Sequence, residues 1–361
     1  MLWHVYTTRA CNLQCRYCGS DPRFETIPLR PEYSPDELVQ FLSHDKSPTI
    51  NFYGGEPLLN IPFMTEVMDK ASDALPNVSY VLQTNGTLLH KVPTHYLAQL
   101  HSILVSVDGR PSVTDYYRGK GVYEQVRQNV SSLTQWLHGE LVARMTVSKN
   151  SNIYEEVTFL LGPDNPGFTH VHWQLDALWN SEVWDDFPTW VAEEYNPGIT
   201  KLAKWWLAEV RDKHIVPKIV PFLGVLTTLI DGSRTQIRCG AGVTSFTVST
   251  DRKIVFCPIE PEDDTCVVGH LKGPDNIRKV PIGPPCTSCP ELDVCGGRCL
   301  FVNQFHTGSE EDFSAVCASV KHLISEMRPL VPLVQQAVEE GWITKEEVHY
   351  PDINNGCEII P

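Results

Sequence analysis

The sequence predicts an α/β fold, a partial (β/α)6 TIM-like barrel followed by a cysteine-rich C-terminal region. Three observations carry this. Strand-like and helix-like segments alternate up to about Ala177, the pattern of a parallel sheet covered by helices. Several strand-like segments end in glycine turns, which puts loops at the strand C-terminal ends, where such barrels build their sites. The 12 cysteines are split, three between Cys11 and Cys18 and nine between Cys239 and Cys357.

The strand-like segments are LWHVYTT, TINFYGG, SYVLQTNG, SILVSVDG, LVARMTV and HVHWQLD. Each is short and rich in apolar, β-branched or aromatic residues. Between them, SPDELVQFLSH opens with Ser34, Pro35 and two acids, a helix start. MTEVMDKASDAL and YEQVRQNVSSLTQWL carry apolar residues at helical spacing. From Asn180 to about Ile237 the pattern changes. Trp179, Trp184, Trp190, Trp205 and Trp206 crowd this zone and read as core and inter-domain packing, with a substrate wall as the alternative. KLAKWWLAEVRDKH is an amphipathic helix. Arg238 to Ser319 is rich in Cys, Gly and Pro and weakly cored unless metal staples it. The expected division is 1–188 for the barrel, 189–237 for a connecting helical segment that shapes the substrate pocket, 238–320 for the cysteine-rich domain, and 321–361 for a C-terminal helix and tail.

Composition excludes some functions. The 361 residues carry 29 Lys+Arg against 44 Asp+Glu, a formal charge of -15. That argues against nucleic-acid and anionic-membrane partners. The longest apolar runs, such as FLGVLTTLI from Phe222, are too short to span a bilayer, and the segment after Met1 is a poor signal peptide. A cytoplasmic location is expected. Without a secretory signal, this many cysteines points to metal or redox use rather than to a disulfide framework.

The stretch CNLQCRYC holds Cys11, Cys15 and Cys18. A structural zinc site takes four ligands and a disulfide two. Three thiolates suit a cubane [4Fe–4S] cluster with one iron left to chelate a small molecule. Zinc with a distant fourth ligand is the alternative. With Tyr17 just before the last cysteine and a strand just before the first, the motif resembles that of the radical SAM superfamily. The resemblance implies a barrel of radical SAM type and S-adenosylmethionine (SAM) on the open iron. Tyr53-Gly54-Gly55-Glu56-Pro57 is similar to the family turn that receives the methionine amino group, its glycines admitting backbone close to the ligand. Gln83-Thr84-Asn85-Gly86 ends the third strand as in similar enzymes. Ser106-Val107-Asp108-Gly109 and Arg118 match a further family segment. By resemblance Ser106 and Arg118 hold the SAM carboxylate and ribose region, the guanidinium fork suiting a carboxylate. Tyr17, Tyr53 and Asn85 complete that site. Asp108 is read as a turn cap.

Cys286-x2-Cys289-x5-Cys295-x3-Cys299 and Cys317, with Cys239 and Cys257 upstream, resemble the SPASM extension of radical SAM enzymes. That implies two auxiliary [4Fe–4S] clusters, three clusters in all. Cys286, Cys289, Cys295 and Cys317 would hold the outer one. Cys239, Cys257 and Cys299 would hold the inner one. Its fourth ligand stays open, because Ser245 stands where some relatives have cysteine; Cys266 or a vacant iron are the alternatives. Arg252 replaces an expected glycine, and Cys357 reads as a spare thiol. A pair of zinc sites is the plainer alternative for this region.

The resemblance implies an oxygen-sensitive oxidoreductase that generates a 5′-deoxyadenosyl radical and oxidatively modifies a peptide or protein side chain. Crosslinks, thioethers, dehydrogenation or decarboxylation are the outcomes, as in maturases of ribosomally made peptides. The arrangement looks most like archaeal-type peptide-modifying members. Asp176 and Glu260 are the candidate bases. A ferredoxin- or flavodoxin-type donor would supply electrons. No leader-binding segment precedes Leu2, so a separate protein would present the peptide, or the target lies within a folded protein. The first alternative is oxidative decarboxylation of a haem precursor, with Lys201, Lys204, Arg211 and Lys213 as partners for its carboxylates. The second is a non-catalytic electron carrier with several clusters.

Overall fold

The computed structural model describes residues 1–18, 27–133, 136–163, 167–177, 184–259, 263–273, 276–306 and 308–350. Trp179, Glu260 and Cys357 lie outside the described residues. In the first half the chain forms β1 (Leu2–Thr8), α1 (Pro35–Leu42), β2 (Thr49–Gly54), α2 (Ile61–Ala74), β3 (Ser79–Thr84), α3 (Thr94–Leu97) and β4 (Leu100–Ser106). Then come α4 (Pro111–Arg118), α5 (Val122–Leu133), β5 (Glu140–Val147), α6 (Ile153–Leu160) and β6 (His170–Leu175). The second half has α7 (Phe187–Trp190), a single π-helical turn at Val191–Tyr195, α8 (Asn196–Lys213), α9 (Val220–Asp231), β7 (Ser245–Val248), β8 (Lys253–Val255) and β9 (Val267–His270). Five helices follow: α10 (Leu292–Cys295), α11 (Leu300–Phe305), α12 (Glu310–Met327), α13 (Leu330–Glu339) and α14 (Lys345–Val348).

The described strands make one sheet, ordered β6-β5-β4-β3-β2-β1-β7-β8-β9. The first six are parallel, so the loops after them gather at one end. β6 pairs with β5 and does not meet β1, which leaves the barrel partial. β1 instead pairs in parallel with β7, Leu2 opposite Ser245 through Val5 opposite Val248. The cysteine-rich half therefore continues the barrel sheet. Its strands have 4, 3 and 4 residues, too short to show a period of two in the sequence.

Local chemistry explains the elements. α1 starts at a capping box, Ser34 and Glu37 each bonding the other's backbone, with Pro35 in its first turn. It buries Leu38, Val39, Phe41 and Leu42, each worth about 1.5–3 kcal/mol of burial. β1 is buried along its whole length, as a strand covered on both faces must be. In the tryptophan-rich zone, Trp206 donates to the Pro217 carbonyl at 2.9 Å and Trp173 to the Tyr195 hydroxyl at 2.8 Å, both fully buried. These indoles are core, as expected. α12 begins at its own capping box on Ser309 and so runs through the boundary expected at residue 320. Among the described residues no helix is long and apolar enough to cross a membrane.

Candidate active site

The loop leaving β1 and the turn leaving β2 are locked together. Gly55 N–H donates to the Thr8 carbonyl at 3.0 Å and Glu56 N–H to the Ala10 carbonyl at 2.8 Å. A Cβ on Gly54 (φ 133) would overlap the Thr8 carbonyl oxygen, and one on Gly55 would overlap those of Arg9 and Ala10. The glycines thus let the turn seat against the chain that enters Cys11. The Glu56 carboxylate is fully buried and turned inward. Its Oε1 accepts from Leu58 N–H at 3.0 Å and Thr84 Oγ1 at 2.7 Å, and its Oε2 accepts from Asn85 N–H at 2.7 Å. Burial pushes its pKa up against these bonds. Asn85 Nδ2 donates to Asn12 at 2.8 Å and lies 3.9 Å from Cys11 Sγ. Leu13 N–H points at the same sulfur from 3.5 Å.

After β4, Asp108 does more than cap its turn. Arg118 grips it with Nε at 2.8 Å and Nη2 at 2.7 Å. Tyr17 Oη donates to it at 2.6 Å and Thr146 N–H at 2.9 Å. The expected turn-cap role is therefore corrected: Asp108 is the centre of a buried network. Burial opposes the charge on Arg118, but Asp108 outweighs it and holds the guanidinium above its ordinary pKa. The ring of Tyr17 lies 5.4 Å from that guanidinium, and Tyr17 packs on Tyr117 with ring centres 5.2 Å apart.

An open cavity of about 1650 Å³ joins these parts. Cys18, Tyr17, Tyr53, Gly54, Ser106 and Arg118 border it, and so do Cys239, Cys257 and Cys299. Glu56 and Asn85 are not among its bordering residues. Asp176, at the end of β6, also faces it. Asp176 accepts from Ser148 Oγ at 2.9 Å, and its carbonyl accepts from Trp184 Nε1 at 2.8 Å. Burial pushes its carboxyl up to about 6, partly opposed by the Ser148 bond. Trp184, Phe187 and Trp190 pack together behind it, with ring centres 4.9 to 5.9 Å apart.

The sequence reading missed three basic cavity residues. His4 is held down to about 3 by burial and by the neighbouring Arg144 charge, so it is neutral. Arg144 Nη2 donates to Gln174 Oε1 at 2.8 Å, and both border the cavity. Its signal was a charge inside the apolar run LVARMTV. Arg298 borders it as well. By contrast, the four cations expected to serve a carboxylate-rich substrate are elsewhere, a correction. Lys201 lies over the Tyr154 ring at 3.9 Å, Arg211 pairs with Asp212 at 2.7 Å and Lys213 with Glu209 at 2.8 Å. Lys204 is outside the cavity too. All four sit on the outer α8.

The C-terminal cysteines surround volumes rather than points. Among the described residues no three His, Cys, Asp or Glu side chains are grouped to hold a metal ion, and no disulfide joins the described cysteines. A second, smaller cavity is lined by Cys286, Cys289, Cys295, Cys299 and Cys317 with apolar neighbours such as Phe313 and Val316. Cys299 borders both cavities. Ser245 borders the larger one, and the buried Cys266 does not. Burial pushes Cys15, Cys239 and Cys286 up to about 11. Opposing it, the N–H groups of Ala241, Ile259 and Gly297 donate to the cysteine two residues earlier, and Arg298 N–H donates to Cys295. Leu13 repeats the pattern at Cys11. Such donors favour thiolate, the form that binds metal. Soft, buried, hydrogen-bonded sulfurs around open volumes fit iron–sulfur clusters.

The fold is that of radical SAM enzymes, and residues 5–152 match the family model of the radical SAM superfamily. Among solved structures it is similar to native anSMEcpe with bound AdoMet, at 17% identity and a TM-score of 0.74, over 94% of this chain and 100% of that one. It is also similar to SuiB of Streptococcus suis bound to the precursor peptide SuiA, at 15% identity and a TM-score of 0.58, over 86% and 74%. Among curated proteins, an uncharacterized protein of Methanocaldococcus jannaschii is 32% identical over 28% of this chain and 36% of its own length. An AdoMet-dependent heme synthase of Nitratidesulfovibrio vulgaris is 30% identical over 36% of each. The chain spans about a third of the length of the curated relatives it matches.

Proposed function

We propose that the protein is a radical SAM oxidoreductase that removes hydrogen from a peptide or protein side chain. One observation carries the reading: a single cavity is bordered by Cys18, by Tyr17, Tyr53, Gly54, Ser106 and Arg118 of the expected SAM site, by Asp176, and by Cys239, Cys257 and Cys299. Cys11, Cys15 and Cys18 would hold the N-terminal cluster. Cys239, Cys257 and Cys299 would hold the inner auxiliary cluster, and Cys286, Cys289, Cys295 and Cys317 the outer one. When bound, the first supplies the electron that splits SAM into methionine and a 5′-deoxyadenosyl radical, and the others offer an outlet for an electron.

The chain's residues do the rest. Tyr53 and Gly54 would frame the methionine end of SAM, and Ser106 and Arg118 would hold its carboxylate. The overall change at the substrate would be a two-electron oxidation, one hydrogen atom going to the SAM-derived group, one electron to an auxiliary cluster and one proton to a base. Asp176 takes the proton, since its carboxyl titrates near 6 and is an effective base at neutral pH. Glu260 is the second candidate. Peptide substrates are supported by anSMEcpe and SuiB, both solved with peptides. A ferredoxin- or flavodoxin-type protein serves as donor, and a separate protein presents the peptide or the target sits within a folded protein.

A second reading, oxidative decarboxylation of a haem precursor, is favoured by Arg144 in the cavity and by the heme synthase relatives. The test is anaerobic reconstitution with iron and sulfide, then reduction with SAM present. Release of 5′-deoxyadenosine is expected, and none would overturn the proposal. Mass spectrometry of co-expressed peptides should then show loss of a hydrogen pair. Loss of carbon dioxide from a porphyrin substrate instead would favour the second reading.

A further inference from the structure

Between Cys295 and Cys299 the chain runs through three consecutive residues with positive φ: Gly296 at 72°, Gly297 at 86° and Arg298 at 55°. The first two are glycines for a reason. A Cβ on Gly297 would press into the Ile282 side chain, and one on Gly296 would crowd the Ile237 backbone. Arg298 has no such reason, because a left-handed backbone disfavours any residue with a Cβ. The turn sends Cys295 to the smaller cavity and brings Cys299 to the wall between the two. The Arg298 side chain borders both cavities as well. Its Nε is buried with no hydrogen-bond partner. A buried guanidinium N–H left without an acceptor is costly.

Other cations near these sulfurs serve one side only. Arg238 is bound to the Val294 carbonyl and Thr228, and its charge acts on Cys295. Lys321 borders the smaller cavity alone. Arg298 borders both cavities.

We propose that Arg298 is a positioning residue shared by the two auxiliary sites, its guanidinium lying between the two groups of thiolates and favouring the reduced state of both. This rests on the auxiliary-cluster reading above. Reduction adds one negative charge to a cluster, and a fixed cation nearby stabilises that charge and raises the potential. Because one cation serves both sites, their potentials are set together.

The test is a redox titration followed by electron paramagnetic resonance on the full reconstituted chain, comparing wild type, Arg298→Lys and Arg298→Gln, with iron and sulfide assayed on each. In Arg298→Gln both auxiliary potentials should become more negative while the N-terminal cluster's stays put. Arg298→Lys should remain near wild type. Unchanged potentials in Arg298→Gln, or a shift at one site only, would overturn the proposal. If Arg298→Gln fails to hold iron, retention of iron and of both potentials by Arg298→Lys supports it, and iron loss in both variants sinks it. Wild-type protein that takes up only one cluster refutes the auxiliary-cluster reading itself, before any variant is compared.

Discussion

Arg118 holds Asp108 by two parallel hydrogen bonds, Nε to Oδ2 at 2.8 Å and Nη2 to Oδ1 at 2.7 Å, with both side chains buried. Tyr17 from the cysteine loop joins the same carboxylate. Arg118 therefore reaches the cavity already oriented. Asp108→Asn keeps the shape and removes the charge. It should destabilise the fold by about 3 kcal/mol, as breaking a buried pair does, and weaken SAM binding. Urea unfolding and a SAM titration measure the two effects. Arg118→Gln added to it should cost less than the sum, since the stranded charge is gone.

Asp176 sets a pH dependence. Its carboxyl sits near 6 in the fold against an ordinary value of 3.8. As a base it works when ionised, so substrate oxidation should rise through about pH 6. Asp176→Asn should lower oxidation about 10²–10⁴-fold yet leave 5′-deoxyadenosine release in place. Stability follows the opposite sense. The raised pKa favours the protonated fold, so its contribution is complete below about 3.8 and is lost as pH rises through about 6. At neutral pH Asp176→Asn should be more stable than wild type by on the order of 2 kcal/mol. Thermal melts across this range would read it.

Gly54→Ala tests the clamp on the cysteine loop. Its new Cβ meets the Thr8 carbonyl, which is backbone and cannot swing aside. A cost of about 3 kcal/mol is expected from overpacking and φ strain together. Iron bound at the N-terminal site should fall with it. Gly273→Ala is the control, because its Cβ would meet only the Asn276 side chain at 3.7 Å and its φ is not positive.

The cysteine groups should fail separately. Cys15→Ala should abolish 5′-deoxyadenosine formation and leave the C-terminal iron. Cys286→Ala should lose outer iron and still cleave SAM without oxidising substrate. Chelation should loosen the region around α10 and α11, as the auxiliary-cluster reading predicts; near-ultraviolet circular dichroism and hydrogen exchange report it.

The barrel was legible because its strands are six to eight residues long and alternate with helices of regular period. β7 to β9 were not, since three or four residues carry no period and a parallel pairing across more than 200 residues leaves no local trace. The cysteines stood out by spacing alone. The partners that tune them did not. Asp108 looked like a turn residue, because nothing in the sequence says that Arg118 folds back onto it. Arg144 was hidden as one charge in an apolar strand. The lysines of α8 stood out by number and lie outside the cavity, because clustering in sequence says nothing about the face a helix turns inward.

β1 carries hydrogen-bonded neighbours on both edges, β2 on one and β7 on the other. The strand leading to the Cys11 loop and β8, which leads to Cys257, therefore belong to one sheet with β7 between them. The spacing between the two cysteine-bearing halves is ruled by backbone register, and sliding it would require breaking rungs in the middle of the sheet. A partner arriving at the cavity can rearrange side chains and loops, but it inherits a spacing that assembly of the sheet has already decided.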